Sequence, residues 1–141
     1  MKNLKIALFG LLVVAVATLG TSFSASAQTT KFATYQGSTF TNGTTTSSLI
    51  NGLATLSNWS SLSTTDPGFS GSSDLAAIQI DIAAGDPSPD FDQTSLQNFY
   101  TALKNYYINN GNVFPTPPTT FNISAVVNGS SRTYTITIEL Q

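Results

Sequence analysis

The residues best equipped for chemistry are the carboxylates of Asp86-Pro-Ser-Pro-Asp90-Phe-Asp92, which place oxygens at alternate positions as hard-cation loops do. A Ca²⁺ loop of the helix-loop-helix kind starting at Asp86 requires Gly at position 91 and Glu at position 97, where this chain has Phe91 and Gln97. The same residues suit a plainer task. Asp90 or Asp92 can cap the helix that follows and set a negative charge at its positive end, while the prolines shape a turn. Capping is the reading carried forward, so no metal and no cofactor is expected. A glycosidase needs two acids across a scissile bond and no histidine. Here the acids crowd one loop, the sole glutamate, Glu139, lies on a terminal strand, and a small domain leaves little room for a sugar cleft. Histidine and cysteine are both absent. Their absence removes the usual general base, the usual partner of a nucleophilic serine, the commonest metal ligand, and every disulfide and thiolate. No catalytic residue is assigned, and a non-enzymatic protein is expected.

Trp59 and Phe69 stand in a polar stretch, Ser57 to Ser73, that is broken by Asp66-Pro67-Gly68. Loops of this length in small domains are usually functional or disordered. The two aromatics are candidate ligand or partner contacts, a platform for a sugar ring or a protein surface, or else anchors tucking the loop onto the core. Tyr100, Tyr106 and Tyr107 read as core residues with wet hydroxyls. Four Asn-x-Ser/Thr matches, at Asn42, Asn58, Asn122 and Asn128, are what chance produces in so Asn-, Ser- and Thr-rich a chain.

Charged residues make up only 9% of the 141, against roughly 25% in an average soluble domain, so Ser, Thr, Asn and Gln must supply the polar surface. Met1 to Lys5 is a short positive region, Ile6 to Leu19 is apolar, and Ala25-Ser26-Ala27 is a small-x-small cleavage signal. Residues 1–27 therefore read as a secretory signal peptide, with Gln28 first in the exported chain. The apolar run is shorter than the ~20 residues a spanning helix needs, and no membrane insertion is expected after cleavage. Beyond Ala27, Lys31, Lys104 and Arg132 face seven acids, a formal charge of −4. Nucleic acid is excluded as a partner, because neutralising phosphates takes clustered Lys or Arg.

The elements that must position these residues follow from periodicity. Ile78, Ile80 and Ile82 alternate with Gln79 and Asp81, a half-buried strand over Leu75 to Ala83. Leu96, Phe99, Tyr100, Leu103, Tyr106 and Tyr107 form one apolar stripe, predicting a helix over Gln93 to Asn109 that stops at Asn110-Gly111. Phe121, Ile123, Ala125 and Val127, then Tyr134, Ile136, Ile138 and Leu140, alternate on either side of Asn128-Gly129, a hairpin with one apolar face. Weaker signals give a strand over Lys31 to Tyr35 and a helix over Thr46 to Leu56. Residues 28–48 and 57–74 are otherwise loop-like. The sum is a single α+β domain over residues 28–141, one main amphipathic helix on a mostly antiparallel sheet ending in a C-terminal hairpin.

Two functions from different classes fit. The first is a secreted structural or adhesive subunit that associates with itself or with a surface. It is favoured by low charge, a Thr-lined hairpin face and a final strand whose edge can pair with another chain, with Arg132, Thr133, Thr135, Thr137 and Glu139 as the candidate edge interface. The second is a small extracellular or periplasmic module that binds a carbohydrate or protein through Trp59 and Phe69. Expected partners are the chain itself, another secreted or surface protein, or a carbohydrate.

Overall fold

The computed structural model describes residues 28–83 and 91–141. The leader, and Asp86 and Asp90 of the acidic loop, lie outside the described residues. The elements are β1 (Thr29–Thr34), a short helix α1 (Ser47–Gly52), a 3₁₀ turn (Leu56–Asn58), β2 (Leu75–Ile82), the main helix α2 (Gln93–Asn109), β3 (Thr120–Val127) and β4 (Ser130–Leu140). The four strands form one antiparallel sheet in the order β1-β2-β4-β3, with α2 on one face. The chain is an α+β domain with a C-terminal hairpin, as the periodicity predicts.

Asn128 and Gly129 take φ of 49° and 77°, the left-handed values a two-residue hairpin turn needs at both positions. Alternation then sends Phe121, Ile123, Ala125 and Val127 of β3 and Tyr134, Ile136, Ile138 and Leu140 of β4 into the core. α2 begins where Asp92 Oδ1 accepts the Ser95 N–H at 2.6 Å, satisfying one of the helix's orphan donors. That bond holds the Asp92 carboxyl below its ordinary range. Phe99, Tyr100, Leu103 and Tyr107 are buried along the helix. Tyr106 is only half-buried and stacks on Phe121 with centroids 4.0 Å apart. The Tyr107 hydroxyl accepts from the Gly43 N–H at 3.0 Å and donates to the Thr44 carbonyl at 3.1 Å, so the segment before α1 is pinned to the helix end.

β2 and β3 are both antiparallel to β4, hence parallel to each other, with α2 crossing between them. The hairpin drops β4 into the gap of this split βαβ unit. The strand that ends the chain is therefore interior, and β3 is the edge.

The segments read as loops are more ordered than their composition suggests. Phe40 is fully buried, and its carbonyl accepts the Leu75 N–H at 2.8 Å. Residues 59–63 run beside β1: Phe32 and Ser63 exchange backbone bonds of 2.8 and 2.9 Å, Ser60 N–H donates to the Thr34 carbonyl, and Tyr35 bridges Trp59. This irregular strip covers the outer edge of β1. The helix expected over Thr46 to Leu56 breaks at Gly52 into a turn and the 3₁₀ segment.

Candidate functional site: two sheet edges and a groove

The expected interface on Arg132, Thr133, Thr135, Thr137 and Glu139 is corrected by the strand order. β4 is paired to β2 on one side and β3 on the other, so its ladder is occupied along most of its length and cannot accept a further strand there. Alternation reports which face a side chain takes, and it is silent on which strand of a hairpin lies outermost. The side chains of Thr133, Thr135, Thr137 and Glu139 do share the sheet face opposite α2. There Thr135 donates to Asn122 Oδ1 at 3.0 Å, Ser124 and Thr133 hydroxyls lie 3.0 Å apart, and Thr30 and Gln79 both donate to Asp81 Oδ1.

The exposed edge is β3. In a two-residue hairpin the residues flanking the turn, Val127 and Ser130, exchange both backbone bonds, and every second pair thereafter does the same. Backbone groups of Thr120, Asn122, Ser124 and Val126 therefore point away from β4. One of these is taken: Asn98 of α2 donates its amide to the Val126 carbonyl at 3.1 Å. Among the described residues no strand pairs with this edge. β3 is eight residues long and carries no charge and no proline, so it lacks the usual devices that keep edges from pairing. Sequence reasoning missed these residues, although an uncharged, proline-free run beside a turn is a visible signal.

Trp59 and Phe69 do not form one platform. Trp59 is buried, stacked on Tyr100 with centroids 4.7 Å apart and planes 3° from parallel, and its Nε1–H donates to the Leu53 carbonyl at 2.9 Å. It is an anchor, which corrects its candidacy as a contact residue. Phe69 is half-buried and lines an open groove of about 440 Å³ with Gly71, Pro117, Pro118, Ile138 and Glu139.

The groove marks a break in the pairing of β4. The last β3 pair is Thr120 with Thr137. A continued ladder would aim the Thr119 N–H at the Ile138 carbonyl, but that N–H turns back to the Thr116 carbonyl at 3.0 Å. Two residues on, Gly71 N–H takes the Leu140 carbonyl at 2.5 Å. The gap between them is walled by Phe69 and the two prolines. On its sheet-face side stands Glu139, whose Oε2 is shielded from solvent and has no hydrogen-bond partner among the described residues. Burial, reinforced by the Asp66 charge and partly offset by the Phe69 N–H, pushes the Glu139 carboxyl above its ordinary range.

Among the described residues no helix is long and apolar enough to cross a membrane. No protein-family model, curated protein or solved structure matches the chain.

Proposed function

We propose that the chain is a non-enzymatic, exported interaction subunit that associates by strand addition at β3, with a second copy of itself as partner. One observation carries the reading: the outer edge of β1 is covered by residues 59–63 while the edge of β3 is long, regular and uncharged. An antiparallel pairing centred on Ile123 sets Asn122 opposite Ser124 and Thr120 opposite Val126 of the second copy, so every outward residue of the strand finds a partner. The interface is isologous, and a two-fold axis closes it without leaving a further edge of the same kind. No charge on either strand repels the other. Asn122 and Ser124 also offer the cross-strand polar contacts that stabilise such pairs by roughly 0.2–1 kcal/mol each. The leader-like residues 1–27 support export.

Size-exclusion chromatography with light scattering over a concentration series tests it. The wild-type chain is expected to dimerise. Ser124→Pro deletes an outward N–H and should leave a folded monomer, whereas Ile123→Pro deletes a bond to β4 and should unfold the domain. A wild-type monomer at all concentrations, or a folded Ser124→Pro that still dimerises, contradicts the reading.

A further inference from the structure

We infer that the groove between Phe69 and Pro117-Pro118 is a binding site for an ammonium or guanidinium group on an apolar stem, a lysine or arginine side chain of another polypeptide. The site is separate from the β3 edge. Its polar rim is dominated by acceptors: the Glu139 carboxylate, and the Ile138 carbonyl left without the Thr119 donor. Among the described residues no Lys or Arg lines it, and Asp66 adds a second negative charge felt by Glu139. An occupant must therefore donate hydrogen bonds and is favoured if it carries positive charge.

The walls set the rest of its chemistry. Phe69 offers an aromatic face, which attracts a cation through its quadrupole, and the prolines offer apolar surface without backbone donors, suited to a (CH₂)ₙ stem. A saccharide fits less well, because its hydroxyls need donors as well as acceptors and the groove supplies only the Ser70 and Thr137 hydroxyls as side-chain donors. Glu139 is the one ionisable side chain lining the groove among the described residues, and its charge selects a cation. A charge-assisted hydrogen bond to a carboxylate is about twice as strong as a neutral one.

The test is an ¹H–¹⁵N NMR titration of the full exported chain with Nα-acetyl-arginine methylamide and Nα-acetyl-lysine methylamide. Nα-acetyl-norleucine methylamide and methyl β-glucoside serve as neutral probes. Both cationic probes should shift the amides of Phe69, Gly71, Ile138 and Glu139 saturably in the millimolar range, less so in high salt, while the neutral probes leave them in place. Glu139→Gln should weaken binding at least tenfold with the rest of the spectrum unchanged. Asp66→Asn, on an exposed loop where its Oδ1 can still accept the Gly68 N–H, should weaken it about threefold by removing the more distant charge. Equal shifts with norleucine would make the groove merely apolar, saturation by the glucoside alone would make it a saccharide site, and no shift with any probe would leave the groove without a ligand of any of these classes. Each result overturns the inference, as does binding undiminished in both variants.

Discussion

The two edges of the sheet are finished differently. β1 is Thr-rich and short, and residues 59–63 lie along it through backbone bonds at Phe32 and Thr34, held in place by Trp59 stacking on Tyr100. β3 is longer and carries no charge, whereas β1 carries Lys31, and among the described residues the Asn98 amide reaches one of β3's outward carbonyls. The same chain thus covers one edge by burying a tryptophan beside it, while no strand covers the other among the described residues. The difference lies in the neighbouring segment: beside β1 a buried tryptophan anchors it, and beside β3 no strand lies among the described residues.

The largest expected effect comes from removing that anchor or the core beneath it. Trp59→Ala should cost about 3–5 kcal/mol in denaturant unfolding, whereas Phe69→Ala, at a half-buried groove position, should cost under about 1 kcal/mol. Equal losses would break the distinction between anchor and groove wall. Next comes the interior strand. Ile136→Ala should cost about 2–5 kcal/mol and Thr135→Ala much less, and proline at either position should unfold the domain because β4 is bonded on both sides. A folded Thr135→Pro variant would put β4 back at an edge.

Much of this was legible in the residues. Asn128-Gly129 and its flanking alternation fix the hairpin, and Asp92 with the Leu96 to Tyr107 stripe fixes α2 nearly to the residue. Strand order was not legible, because Tyr134 to Leu140 and Phe121 to Val127 alternate alike and their neighbours depend on where α2 delivers the chain. Nor was the covering strip: Ser60 and Ser63 pair through backbone atoms, which leave no side-chain pattern. Trp59 and Phe69 look equivalent in sequence, and only the distant Tyr100 separates them. Glu139 is placed on the outer face by period, but the Phe69 N–H and Asp66 charge that act on it come from a loop distant in sequence, which no local pattern encodes.

Smaller effects concern charge. Ser124→Lys should leave stability within about 0.5 kcal/mol while abolishing association, since a lysine on an edge discourages pairing. Tyr100→Phe should be neutral or stabilising in thermal unfolding, because the buried hydroxyl has no partner among the described residues. For Glu139 the sign follows from its raised pKa. The native protein holds that proton more tightly than the unfolded chain, so wild-type stability rises as pH falls from neutral toward the ordinary glutamate range. Glu139→Gln should therefore be the more stable protein near neutrality, with the gap closing on acidification. Asp92 acts in the opposite sense, its contribution being lost as pH falls through its lowered native value.

The central claim is that β3 is the surface through which the molecule associates, and residue-resolved amide hydrogen exchange as a function of protein concentration tests it most directly. The N–H groups of Asn122 and Ser124 point outward, and those of Phe121 and Ile123 are bonded to β4. The account predicts that exchange at Asn122 and Ser124 slows as concentration rises, while Phe121 and Ile123 are protected throughout. Concentration-independent exchange at Asn122 and Ser124, with the protein shown to associate, would contradict it and place the interface elsewhere.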